Sequence, residues 1–182
     1  MRYFGPARGG SWVGYGLVRG LPGTPELTKE NYAPMAATLP EILLTPDTRP
    51  QVTADCLTLI QQEVSAKSGV SGATVKLAYK TVNAFASGYL QHMVESMLPD
   101  MADKLQPFWA DFTASGAAEF GDYLVKRGNE VSEALLSVTD ARAATSERAT
   151  ILKAYRTVRG GASKHIKAAL PNLGALIQKY AA

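Results

Sequence analysis

From residue 35 onward the sequence predicts an all-α domain, a single compact bundle of six to eight short helices. Three observations lead there. Apolar residues recur at three- and four-residue steps, the spacing that places them on one face of a helix. The segments between them carry glycine, proline and capping residues. No run shows the sustained alternation of branched and aromatic residues that a half-buried strand needs. Each amphipathic stripe is too narrow to be stable alone, so the helices must bury their stripes against one another.

The elements follow in order. Pro50 opens a helix whose face holds Val52, Cys56, Leu57, Ile60 and Val64, and Lys67-Ser68-Gly69 supplies a basic last turn and a glycine stop. Ser71 is the expected N-cap of the next helix, with Val75, Ala78, Tyr79, Val82 and Phe85 on its stripe. Gly88 interrupts, and Tyr89, Met93, Val94 and Met97 continue to Leu98-Pro99, where Pro99 suits the first turn of a new helix. Met101, Leu105, Phe108, Trp109 and Phe112 follow, with Pro107 as a kink or break and Ser115-Gly116 as a turn. The longest uninterrupted helix is expected from about residue 117 to 137, on Phe120, Tyr123, Leu124, Val131, Leu135 and Val138, ending at Thr139-Asp140. Ile151, Leu152, Tyr155 and Val158 form another stripe, stopped by Gly160-Gly161, and Ile166, Leu170, Leu173, Ile177 and Tyr180 form the last. The aromatic cluster Phe108, Trp109, Phe112 and the methionines Met93, Met97 and Met101 read as core.

Residues 1–34 differ in composition. They hold 7 of the 16 glycines, 4 of the 10 prolines and 5 of the 15 aromatic residues, and runs such as Gly20-Leu21-Pro22-Gly23-Thr24-Pro25 are consecutive turns. The apolar stretch Trp12–Val18 is broken by glycine and lacks a small-residue cleavage pattern, so a secretory signal is not the expectation. Met35-Ala36-Ala37-Thr38 resembles a natural start, and Lys29-Glu30 can be encoded by a ribosome-binding-like sequence just upstream. The expectation is a disordered arm, or a mis-assigned leader, over residues 1–34 and a helical domain over 35–182.

An internal repeat points to two related helical units. Residues 78–87 (AYKTVNAFAS) align with 154–163 (AYRTVRGGAS), with six of ten positions identical. Allowing a four-residue deletion, Leu98-Pro99 aligns with Leu170-Pro171 and Leu105-Gln106 with Ile177-Gln178. Four residues is about one helical turn, so the faces stay in register across the gap.

Composition excludes several function classes. The chain has 182 residues, 46% of them hydrophobic and 19% charged, enough for one domain with a real core. No stretch of 18 apolar residues offers a membrane span. A single cysteine, Cys56, rules out a disulfide framework or a cysteine-built zinc cage, and His92 and His165 leave little for a histidine metal site. Cys56 lies on an apolar stripe and reads as an inert thiol; His165, beside Lys164, reads as a surface histidine whose protonation is disfavoured. No nucleophile–base pairing at a motif spacing, phosphate loop or cofactor motif is present, so neither an enzyme nor a cofactor is expected.

Charge is segregated along the chain. Residues 91–125 carry six acids and one base, and residues 142–182 carry eight bases and one acid, for net charges of −5 and +7. The plain expectation is that the two segments compensate each other. The sharper one is an exposed anion-binding face made of Arg148, Arg156, Arg159, Lys164 and Lys167, fit for nucleic acid or, less well, an anionic membrane.

The stretches Val52-Thr53-Ala54-Asp55-Cys56, Glu63–Gly72, Leu105-Gln106-Pro107-Phe108-Trp109 and Leu135–Arg142 resemble a small uncharacterised family of actinobacterial proteins over roughly residues 35–182. The resemblance implies a short, helical, cytoplasmic protein with no activity assigned, so it transfers no site residues. The function expected first is a non-catalytic domain working through protein contacts or self-association. The basic surface is the second expectation, and a carrier of an apolar ligand in a gap between helices is the third.

Overall fold

The computed structural model describes residues 37–182, and all its regular elements are helices. The expected arm over residues 1–34 lies outside the described residues. Seven helices follow one another: α1 Leu39–Leu43, α2 Arg49–Ala66, α3 Gly69–Asn83, α4 Tyr89–Ser115, α5 Phe120–Lys126, α6 Gly128–Ala144 and α7 Ala149–Ala181. The number agrees with expectation. Two of the helices are much longer than expected, and the physical reasons are local.

Helix α4 runs for 27 residues through both Pro99 and Pro107, where a new start and a break were expected. Pro99 has no N–H for the carbonyl of Glu95, and the Arg49 guanidinium supplies the missing donor, Nη2 to oxygen at 3.1 Å. Burial of Val94, Leu98, Ala102, Leu105, Phe108, Trp109 and Phe112 along one face spans both prolines. At roughly 1.5–3 kcal/mol for each large side chain, that burial outweighs the few kcal/mol a proline costs. Helix α7 likewise continues through Gly160-Gly161 and Pro171 for 33 residues, because both halves are held from outside. Arg159 binds Asp140 of α6, and Leu170, Gly174 and Ile177 are buried in the core.

The helix expected over 117–137 is two helices. The chain bends at Arg127, whose guanidinium binds Asp111 and Glu130 at 2.7 Å each and lies 4.6 Å from the centre of the Phe108 ring. The stripe itself is as expected: Phe120, Leu124 and Val131 are fully buried and Leu135 and Val138 nearly so. Helix α6 runs past Thr139-Asp140 to Ala144, since Asp140 is engaged by Arg159 and Tyr155 and does not cap. Ser71 is not a cap either. Helix α3 begins at Gly69 after Ser68, and the Ser71 hydroxyl meets His165 instead. Helix α1 escaped the apolar periodicity because it is five residues long; its signature is the capping box Thr38…Glu41, with each side chain bonded to the other's backbone.

The repeat is visible in the packing. Gln106 Oε1 accepts the N–H of Leu39, the first residue of α1, at 2.6 Å, and Gln178 Oε1 accepts the N–H of Phe120, the first residue of α5, at 2.9 Å. Leu39 and Leu43 of α1 are buried as Phe120 and Leu124 of α5 are. The only two buried polar residues, among those described, are Thr53 and Ser132, each following a buried valine, Val52 or Val131. The first unit is therefore α1–α4 and the second α5–α7. The four surplus residues of the first unit fall between residues 88 and 97, just after the turn over 84–88 that separates α3 from α4, whereas α7 is continuous.

The dense core lies where α1, α5 and the C-terminal halves of α4 and α7 meet. Trp109 stands edge-on to Phe120 at 5.0 Å and Phe112 packs on Phe120 at 5.0 Å, so the aromatic cluster is core. The tightest approach is between backbones: a Cβ added at Gly174 would lie 2.3 Å from the Gly121 Cα. Gly174→Ala is therefore expected to destabilise the protein by about 1–3 kcal/mol or more. Gly160→Ala, on the exposed side of the same helix with no atom within 4 Å of the new methyl, is expected to stabilise by about 0.5–1 kcal/mol. Chemical denaturation of the two variants checks the opposite signs.

Candidate functional site

Away from that core the helices do not close on one another. A cavity of about 960 Å³ lies between α2, α3, the start of α4, the end of α6 and the first three-quarters of α7. Its walls are apolar. Helix α2 contributes Leu59, Ile60 and Val64; α3 contributes Val75, Ala78, Tyr79 and Val82; α4 contributes Leu90, Met93 and Met97. Helix α7 runs the length of the cavity from Ile151 to Leu173. The rise from Ile151 to Leu173 is about 33 Å at 1.5 Å per residue, so the space is long.

The stripes that form it are the ones read from the sequence as core. Met93 and Met97, expected to fill gaps in a core, are half-buried on the cavity wall, while Met101 packs against the dense core. Helix α3 is the least embedded wall. Its only buried residue is Gly72, its inner face is half-buried, and Val70 and Leu77 on its outer side are 88% and 66% exposed. Glycines in the left-handed region stand at both of its flanks, Gly69 at φ 70° and Gly88 at φ 72°. Other side chains take that conformation only at a cost, so glycine is required at both positions where the chain turns next to α3.

One end of the cavity is closed by neutralised groups. Lys67 and Glu63 form an ion pair at 2.7 Å, and the second carboxylate oxygen of Glu63 accepts from Asn172 at 2.7 Å. Burial works against the charge on Glu63, but the bonds from Lys67 and Asn172 hold its carboxyl below the usual range. His165 Nε2 lies 2.7 Å from the Ser71 hydroxyl. Burial first, then the charges of Lys67 and Lys164, push the imidazole below its ordinary value, in the direction expected from Lys164 alone. Among the described residues no carboxylate holds its other nitrogen, so the pair lacks the orienting acid of a catalytic triad and serves to tie α3 to α7.

At the opposite end the α6–α7 connection folds over the α3–α4 turn. The Arg148 guanidinium lies over Tyr89 at 5.2 Å and Phe85 at 6.0 Å, and those two rings are 4.9 Å apart. Beneath it Arg142 Nη2 donates to Ser96 Oγ at 2.6 Å.

The profile of a family of unknown function (DUF6918) matches residues 39–181, from the first residue of α1 to the last of α7. The chain belongs to that family. The matched region of this DUF6918 domain contains every residue that lines the cavity. No curated protein and no solved structure matches the chain.

The five residues expected to form an anion-binding face are placed differently from one another. Arg156 and Lys164 are exposed. Arg159 makes a two-pronged contact with Asp140, Nε to Oδ1 and Nη2 to Oδ2 at 2.8 Å each, with Glu133 at 3.7 Å. Lys167 hydrogen-bonds Asn129, and Arg148 covers the two aromatic rings. Among the described residues, no ion pair joins the acidic segment 91–125 to the basic segment 142–182: Asp111 pairs with Arg127, and Lys179 with Asp55. Cys56 packs against the core, and burial, reinforced by the neighbouring Asp55 charge, pushes its thiol up to about 11, which fits the expected inert thiol. Among the described residues, no helix is long and apolar enough to cross a membrane.

Asp140 supplies a pH test of how α7 is held. Hydrogen bonds from Arg159 and then Tyr155 hold its carboxyl below the ordinary value. A group with a lowered folded pKa stabilises in full above its unfolded value and loses that contribution as pH falls through the folded one. The melting temperature is expected to fall between about pH 5 and about pH 2, and Asp140→Asn to flatten that fall while lowering the melting temperature at neutral pH. Thermal melts of both proteins across this range check it.

Proposed function

We propose that this protein is a non-catalytic binding domain for a long apolar molecule held in the cavity between α3 and α7. One observation carries the reading: a 960 Å³ space walled by apolar side chains from five helices. Protein interiors are packed to the density of organic crystals and rarely leave voids larger than a water molecule. A space of this size is instead at the upper end of small-molecule sites, which run from about 300 to about 1,000 Å³. Water gains few hydrogen bonds from such walls, so an apolar occupant is favoured by roughly 25 cal/mol for each Å² of apolar surface it removes from water. The weakly embedded helix α3 gives the occupant a route in.

This reading reverses the order set by the sequence, in which protein contacts came first, the basic surface second and an apolar ligand third. The basic surface loses ground because Arg159 is engaged by Asp140 and Lys167 by Asn129. The test is uptake of an apolar, environment-sensitive dye by the full chain. The expected result is saturable binding at one site, displaced by a long-chain alcohol, with affinity reduced about tenfold or more in Ala162→Trp, which fills the cavity from its α7 wall. Absence of saturable uptake, or uptake indifferent to the tryptophan, overturns the proposal.

A further inference from the structure

The two ends of the cavity differ in charge, and this says which way an occupant lies. The orientation of an occupant presupposes that the cavity is a site for an apolar ligand, as proposed above. At the α2 end the one cation on the wall among the described residues, Lys67, is spent on Glu63, and Glu63 is shared with Asn172. That end offers little to a charged group.

The other end is unlike it. Arg142 and Arg148 both line the cavity there. Arg142 is engaged by a neutral hydroxyl and Arg148 by two aromatic faces. Neither forms an ion pair among the described residues. A guanidinium carries five donors in a planar fork suited to a carboxylate or phosphate, and one hydroxyl contact leaves most of them open. Glu147 lines the same end, so among the described residues the local count is two cations to one anion. Asp100 and Asp103 border a neighbouring hollow that shares Arg142, without pairing to it. Both arginines are exposed at the mouth, where an anion can reach them from solvent and salt screens their pull.

We propose that the cavity takes a single-chain amphiphile with an anionic head, the head seated between Arg142 and Arg148 and the chain lying along α7 toward Leu173. A carboxylate and a phosphate monoester share the recognised chemistry, one compact anion on one long chain, and the experiment separates them.

The experiment is calorimetric titration of the full chain with hexadecanoate, hexadecyl phosphate and hexadecanol. Each is repeated on an Arg142→Gln/Arg148→Gln double variant and on Lys153→Gln, which removes an exposed cation that does not line the cavity. At low salt at least one anion is expected to bind about tenfold or more tighter than the alcohol, and which one does identifies the head group. In the double variant the ratio of anion to alcohol affinity should fall to about one; in Lys153→Gln it should persist. Should the double variant bind nothing, salt gives an independent reading, since the advantage of the anions in the wild type should shrink as ionic strength rises. Equal binding of anions and alcohol by the wild type overturns the head-group assignment and leaves the cavity reading standing. Failure of all three compounds to bind removes both.

Discussion

The backbone contact between Gly121 and Gly174 is the constraint on which the rest of the architecture depends. With no side chain on either residue, α5 lies directly on α7, close enough that a single methyl at Gly174 would collide with the Gly121 backbone. That approach brings Gln178 to the start of α5 and seats Phe120 and Leu124 at the centre of the core. It also fixes the C-terminal half of a 33-residue helix. The N-terminal half then projects past the core, held by Arg159 on Asp140 and by His165 on Ser71, and forms the long wall of the cavity. Close packing at one end and an unfilled apolar space at the other are two consequences of one rigid helix.

The repeat shows how such an arrangement arises within one chain. Both units place a short helix on a long one and cap it with a glutamine, Gln106 on Leu39 and Gln178 on Phe120. One of the places where they diverge shapes the cavity. Where the second unit keeps one continuous helix, the first turns over residues 84–88, and this turn frees α3 from α4. A helix with one buried residue, flanked by left-handed glycines, is thus set against a continuous and anchored partner. The difference between two related units sets a sparsely buried wall opposite an anchored one.

Much of the fold was legible because helical faces are written in the periodicity of apolar residues. The stripe through Phe120, Leu124, Val131 and Leu135 is buried as read, and the Leu105-Gln106 and Ile177-Gln178 correspondence marks the two capping glutamines. The helix boundaries were less legible, since they depend on distant partners. Pro99 does not end α4, because Arg49 reaches the carbonyl that the proline leaves free. Gly160-Gly161 does not end α7, because α6 and α3 hold it on either side. The site was hidden for a further reason. An apolar stripe records only that side chains avoid water, and the same pattern serves a filled core and a lined cavity. Val75, Tyr79, Met93 and Val158 carry no mark that separates them from Leu98 or Leu170. Charge is ambiguous for a related cause: Arg148 and Arg159 are both basic in sequence, but one faces aromatic rings and the other a carboxylate.

The central claim is that a rigid half anchored at Gly121 and Gly174 supports a compliant half that closes on a ligand. Amide hydrogen exchange of the full chain, with and without a long-chain alcohol, tests it most directly. The account predicts that amides of α5 and of α7 between Leu170 and Ile177 exchange most slowly in both states. Those of α3 should exchange fast alone and slow at least several-fold when the alcohol is present. Exchange from α3 that is as slow as from the α5–α7 contact in the free protein, or that is indifferent to the alcohol, would contradict it.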